Sequence, residues 1–208
     1  MQIEPSDISW QDAYKLLVGS VLPRPIAFVS TVDEEGRANL APFSFFTCIS
    51  ANPMLICFAP MVRGSDCGKK DTLRNIEKTK EFIINIVSED IISQVNECAT
   101  EYSSGVDEFT IAGLGKEAGQ KVQIPRVQEC KIHLECKLHE LHHYGSHPGS
   151  GSLVVGKVVL VSVADNLYED GKINTSKLNP VGRLAGHAYT RANSDTFILT
   201  RNNISKEK

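Results

Sequence analysis

Two stretches of the chain combine residue types that could hold a ligand. The first is Asn39-Leu40-Ala41-Pro42-Phe43-Ser44-Phe45-Phe46-Thr47-Cys48-Ile49-Ser50, and four of the eight phenylalanines fall between Phe43 and Phe58. A strand here would turn Phe43, Phe45 and Thr47 to one face and Ser44, Phe46 and Cys48 to the other. Backbone amides, hydroxyls and flat apolar surface would then lie together, as a flat heteroaromatic ligand with a polar edge requires. The same residues suit an ordinary buried strand whose Ser and Thr bond to backbone. The second stretch is Arg63-Gly64-Ser65-Asp66-Cys67-Gly68-Lys69-Lys70-Asp71-Thr72-Leu73-Arg74-Asn75-Ile76. Two glycines loosen a loop, Arg63, Lys69 and Lys70 flank it, and it ends where a helix begins. Free N–H groups, the positive end of the helix dipole and nearby cations make a phosphate site. A solvated basic turn with Asp71 as an ordinary cap has the same composition. The pairing of the two stretches points to a mononucleotide-like cofactor.

Three other matches to chemical motifs lack the local structure their chemistry needs. His139-Glu140-Leu141-His142-His143 has the HExxH spacing of zinc hydrolases, which need the two His one helical turn apart. The preceding residues alternate with period two, and a strand would hold His139 and His143 about 13 Å apart. With His147 added, the cluster reads as an exposed polar hairpin. Gly151 to Lys157 matches GxxxxGK, but Val158 replaces the required Ser or Thr and Leu153-Val154-Val155 is a strand interior. Gly113-Leu114-Gly115 and Gly149-Ser150-Gly151 do not complete GxGxxG, so no Rossmann nucleotide site is expected.

The elements that must position these residues follow from pattern. Ser6 or Asp7 is expected to cap a helix over 8–18, with Ile8, Ala13, Tyr14, Leu17 and Val18 as its apolar stripe. Strands are expected at 26–32, 37–41, 44–50 and 54–59, with turns at Asp33-Glu34-Glu35-Gly36 and Asn52-Pro53. Asp71 or Thr72 should cap a helix through Lys78, followed by a strand at 81–87 and a helix over 90–98. Residues 99–126, rich in Gly and polar side chains, read as an irregular excursion. Further strands are expected at 131–139 and 153–163, loop and turn over 168–183, and short closing strands near 187–189 and 196–200. Many short strands with a few helices suggest a β-barrel decorated by helices, an α+β class.

Length and charge bound the rest. At 208 residues with 41% hydrophobic residues, the chain is read as one domain able to build a core. Its 22 Lys and Arg against 25 Asp and Glu leave a net charge of −3, which excludes a basic nucleic-acid module and gives no broad attraction to anionic membranes. The six cysteines form no CxxC pair, and no secretory signal is expected at the start, so a cytoplasmic protein is the simplest reading. Asn174-Thr175-Ser176 and Asn203-Ile204-Ser205 then have no significance as glycosylation acceptors. Ala38 to Val62 carries no charge and is long enough to cross a bilayer, but Pro42, Pro53, Pro60 and several polar residues mark it as buried structure instead.

Four blocks occur in a characteristic order: Arg24-Pro25-Ile26-Ala27-Phe28-Val29-Ser30-Thr31, Asn39 to Phe46, Lys70 to Ile76, and Phe82-Ile83-Ile84-Asn85-Ile86-Val87. With Pro180-Val181-Gly182-Arg183-Leu184 and Tyr189 they resemble the flavin reductase-like, FMN-binding split-barrel family over about residues 20–190. That family includes flavoredoxin and the reductase component of nitrilotriacetate monooxygenase. The resemblance implies a mainly β fold, a six-stranded antiparallel split barrel with peripheral helices, forming a homodimer with FMN near the subunit interface. It implies that Asn39, Ser44, Phe45, Phe46 and Thr47 line the ring and ribityl chain, and that Arg63, Lys70, Asp71 and Thr72 hold the phosphate. Tyr189, with His187 beside it, would approach from the C-terminal segment of either subunit. Thr47-Cys48 stands where the family more usually has Asn-Ala, so Thr47 offers one hydroxyl in place of an amide. The implied activity is hydride transfer from NAD(P)H to flavin, with a monooxygenase as a candidate acceptor. An FMN electron carrier without its own catalysis would use the same residues, and a zinc hydrolase built on the His cluster is the third alternative.

Overall fold

The computed structural model describes residues 1–200. Nine strands and four helices make up the body: α1 (Trp10–Ser20), β1 (Ala27–Val32), β2 (Ala38–Phe43), β3 (Phe46–Ala51), β4 (Met54–Phe58), α2 (Asp71–Thr79), β5 (Glu81–Ile86), α3 (Ile92–Glu97), α4 (Glu108–Ala112), β6 (Lys116–Ala118), β7 (Pro125–Val127), β8 (Ile132–His143) and β9 (Ser152–Val163). The C-terminal part adds β10 (Tyr168–Glu169), β11 (Lys172–Ile173), α5 (Thr175–Leu178), β12 (Val181–Arg183) and β13 (Tyr189–Arg191). Seven strands form one antiparallel sheet in the order β2-β1-β5-β8-β9-β4-β3.

The edges of that sheet, β2 and β3, are consecutive in the chain and separated only by Ser44 and Phe45. Three residue steps span no more than about 11 Å, so the sheet must curl until its two edges nearly meet. The result is a barrel split between β2 and β3, with Ser44-Phe45 bridging the split. Pro42 has no N–H to give, and it is tolerated because β2 is an edge strand. The β1–β2 hairpin is closed by Asp33, whose carboxylate accepts from the N–H of Glu35 (3.0 Å) and Arg37 (2.8 Å), and Gly36 takes φ +80°.

Alternation along the strands builds two main cores, beside two smaller clusters around Ile83 and Leu167. Ala27, Val29, Phe43, Phe58, Phe82, Ile84, Cys136 and Val154 fill the barrel, where the Phe58 ring lies 5.2 Å from Phe43 and 5.6 Å from Phe82. A Cβ at Gly156 would stand 2.4 Å from Phe82, so β9 needs glycine there. Leu73 and Ile76 of α2 join this cluster and plug the barrel. Phe28 and Leu40 face outward, against Val95 of α3 and Phe109 of α4.

Several expectations need correction. The sheet has seven strands, not six: β3 pairs with β4 as an edge strand, with a bulge at Ile49. The first helix is capped by Ser9, which accepts from the Asp12 N–H at 3.1 Å; residues 5–7 form a separate 3-10 turn. Of its expected apolar stripe only Val18 is buried. Residues 99–126 are better ordered than their composition suggests, since Phe109, Val122 and Ile124 are buried. Glu135, itself fully buried, gathers this excursion by accepting from the N–H groups of Gln120, Lys121 and Val122. The charge-free stretch contains a surface strand: Thr47, Cys48, Ile49 and Ala51 of β3 are exposed. No strand forms at 196–200, where Phe197, Ile198 and Leu199 are exposed. The region 168–183 contains β10 to β12 and α5 and is more than loop; Asn174 caps α5, while Asn203 lies outside the described residues. Among the described residues no helix is long and apolar enough to cross a membrane.

Candidate functional site

Three concavities meet where β2 runs into the split. The first is lined by Asn39 and Pro42 of β2, Arg63, the first turn of α2 with Lys70, Asp71 and Thr72, the segment after α3 from Cys98 to Tyr102, and Glu108. The second, a groove of about 460 Å³, is lined by Leu17, Val21, Pro23, Arg24, Ser44, Phe45, Phe46, Thr47, Cys57 and Leu153. The third carries Tyr14, Pro42, Ser44, Arg183 and Tyr189. Pro42 borders the first and third, and Ser44 the second and third. All ten site residues expected from sequence therefore line adjoining surfaces; His187 is exposed in the turn before β13 and lines none of them.

The first cleft is suited to an anion. Lys70, not Asp71 or Thr72, is the N-cap of the nine-residue α2, and no side chain caps its first turn. The leading N–H groups are thus left without a side-chain acceptor at the positive end of the helix dipole. The Asp71 carboxylate is paired with Arg74, so only its N–H faces this role. Thr72 is fully buried, and its hydroxyl accepts from Asn39 Nδ2 at 2.9 Å. Asn39 Nδ2 also reaches Thr31 Oγ1 at 3.4 Å, which accepts from Asn75 Nδ2 at 3.0 Å. Lys70 Nζ lies 3.6 Å from Glu101. Arg63 is held by Asp66 through two bonds of 2.9 and 2.6 Å, and these bonds hold the Asp66 carboxyl down at about 2. A Cβ at Gly68 would stand 2.7 Å from the Arg63 guanidinium, so a side chain there would push on this pair.

The groove is apolar and aromatic, with polar atoms at one end. Because β2 stops at Phe43, Ser44 and Phe45 lie in the connection and not on a strand, and the expected two-faced alternation begins only at Phe46. The Phe45 ring stacks on Tyr14 with centroids 6.2 Å apart. Tyr189 lines the third concavity together with Ser44: its hydroxyl donates to Asn96 at 3.2 Å, and Arg183 sits over its ring at 4.5 Å.

Sequence reasoning missed two residues of this site. Arg24 is 5% exposed, and its guanidinium donates to the carbonyls of Val18 (2.7 Å), Val21 (3.1 Å) and Leu184 (3.0 Å) and approaches Ser44 Oγ at 3.4 Å. It ties the end of α1 and the C-terminal segment to the split, and burial pulls its pKa below the usual arginine value. An arginine between two prolines just before a buried strand is the signal that could have found it. Glu108 gave no such signal. It is buried at the start of α4, accepts from the Leu40 N–H at 2.9 Å, and burial pushes its carboxyl pKa up.

The other motifs are accounted for by strands. His139, His142 and His143 lie on β8, so the helical HExxH arrangement does not form. His142 reaches Glu140 at 3.1 Å, and His143 reaches Ser152 at 2.9 Å and Glu77 at 3.2 Å. The GxxxxGK match runs from Gly151 into β9, which holds all of it after that first glycine.

The fold has counterparts among solved structures. The flavin reductase like domain model matches residues 18–178, and the chain belongs to that family. The crystal structure of nitrilotriacetate monooxygenase component B from Bacillus cereus superposes with a TM-score of 0.90 at 37% identity, covering 96% of this chain and 98% of that one. The 2-nitrobenzoate 2-nitroreductase NbaA of Pseudomonas fluorescens superposes with a TM-score of 0.87 at 29% identity, covering 98% of both chains. An uncharacterised protein of Halalkalibacterium halodurans, BH2278, is 38% identical over the full length of both.

Proposed function

We propose that the protein is an FMN-binding flavin reductase that transfers a hydride from NADH or NADPH to flavin and supplies reduced flavin to a partner such as a monooxygenase. The observation that carries this reading is the junction at Pro42–Ser44 of an anion-suited cleft with an aromatic groove, in a chain of the flavin reductase-like family. The donor set fits the group: uncapped amides and two cations for a phosphate, and aromatic surface with hydroxyls for a ring.

In this reading the N–H groups of Asp71 and Thr72, with Lys70 and Arg63, hold the phosphate. Asn39 donates to the Thr72 oxygen, which leaves the Thr72 hydroxyl proton free to donate in turn. Ser44, Phe45, Phe46 and Thr47 line the ring; the Ser44 hydroxyl, which accepts from Arg24, keeps its proton for negative charge that develops on the ring, and the Thr47 hydroxyl, which reaches the Cys48 carbonyl at 3.4 Å, would turn to do the same. Leu17, Val21 and Leu153 give apolar walls to the groove in which a reduced nicotinamide would stack. FMN, when bound, supplies the hydride-accepting ring, so no nucleophilic side chain is required.

Two structural relatives above 25% identity bear the names of a monooxygenase component and a nitroreductase, which favours an enzyme over a passive carrier. A homodimer is part of the proposal. The edge strand β3 is uncharged and exposed, and Ile49, Met54, Leu16, Leu17, Val21 and Leu22 are each more than 40% exposed, a surface that a second copy would cover. The test is oxidation of NADH and of NADPH by the purified protein with FMN as acceptor, followed by loss of nicotinamide absorbance. Turnover with one nucleotide supports the reductase; FMN binding without turnover with either supports the carrier.

A further inference from the structure

We infer that Trp10 is a positioning residue for the Arg63–Gly68 loop and thereby sets the preference of the site for a phosphorylated flavin; the inference rests on the proposed phosphate role of that loop. Trp10 is the chain's single tryptophan and opens α1. Its ring lies in a slot between two loops. A Cβ at Gly149 would stand 2.6 Å from the ring, and one at Gly64 would stand 3.4 Å from it. Gly149 also takes φ +83°, so both its backbone and its missing side chain serve this arrangement.

The two loops are joined directly beneath the ring. The Val62 N–H donates to the Ser150 carbonyl at 2.9 Å, the Gly149 N–H donates to the Val62 carbonyl at 3.3 Å, and Met61 bridges Gly151. Arg63 leaves from this junction, with Gly64 following it. A loop with glycines at 64 and 68 has much backbone freedom to lose on binding an anion. The indole seated against Gly64 removes part of that freedom before any ligand arrives, which is the preorganisation that raises affinity without a new contact. The Arg63–Asp66 pair and the bond from the Arg63 N–H to the Gly68 carbonyl at 3.0 Å then carry the constraint through the loop. One turn further along α1, Tyr14 stacks on Phe45, so the ring groove has its own support from the same helix and does not depend on Trp10.

The experiment compares the affinities of FMN and riboflavin, which differ only in the phosphate, for wild type, Trp10→Ala and Trp10→Phe. Trp10→Ala should weaken FMN about tenfold while riboflavin changes less than about twofold, and Trp10→Phe should restore most of the loss. Equal weakening of both ligands would mean the indole serves the fold alone and overturns the inference. An unchanged FMN preference in Trp10→Ala overturns it as well, with the phosphate reading intact. A wild type without preference for FMN over riboflavin would remove the phosphate reading and this inference with it.

Discussion

Asn39, Thr72, Lys70 and Arg63 stand at one cleft because a β-edge, a helix start and a glycine loop converge there. Replacing Lys70 or Arg63 with Ala should weaken FMN binding roughly tenfold, the usual weight of a charge-assisted phosphate contact, and leave riboflavin nearly unaffected. Calorimetric titration of both ligands checks this. Glu108 offers a pH-dependent test. Burial raises its carboxyl pKa above the ordinary value of 4.5, so ionisation costs more in the folded than in the unfolded state. Its contribution is most favourable below that ordinary value and is lost as pH rises through the raised one. Glu108→Gln keeps an acceptor for the Leu40 N–H, so its stability relative to wild type should improve as pH rises from the ordinary carboxyl value through the raised one, measured by urea denaturation. A difference that does not vary with pH would show that the carboxyl pays no desolvation penalty. The cations and aromatic residues of the site were legible because their types are informative. Glu108 was not, because its partner is a backbone N–H 68 residues away, and Arg24 was marked only by its setting between two prolines, since the Leu184 carbonyl it also holds is distant in sequence.

At the scale of elements, the split between β2 and β3 does most to define the site, since it leaves Ser44 and Phe45 outside the sheet between two grooves. The seven long strands were legible from alternation and turn chemistry. The bounds at the split were less so: strands were expected at 37–41 and 44–50, whereas β2 runs on to Phe43 and β3 starts at Phe46, because alternation through Pro42-Phe43-Ser44-Phe45 does not mark where pairing stops. The 99–126 excursion was misread for a related reason: its polar composition hides the fact that Glu135, on a distant strand, satisfies its amides. Glu135→Ala should leave those three N–H groups without their acceptor and cost about 3 kcal/mol. Hydrogen exchange should then localise the loss of protection to residues 116–127; uniform loss across the barrel would contradict this division of labour.

At the scale of the molecule, the fold class followed from pattern, whereas the strand count of six came from resemblance and gave way to seven. Pairing between copies is invisible in one sequence, but the apolar face of α1 with the β3 edge is where it should occur. Leu17→Glu with Ile49→Lys should convert a dimer to a monomer in sedimentation velocity, and wild type that sediments as a monomer would overturn the proposed assembly. The central claim is that flavin held in this barrel takes electrons from a nicotinamide. The most direct measurement is the visible spectrum of the FMN-loaded protein under anaerobic conditions, before and after addition of NADH and of NADPH. The account predicts prompt bleaching of the flavin bands by at least one nucleotide, and bands that persist with both until a chemical reductant is added would contradict it.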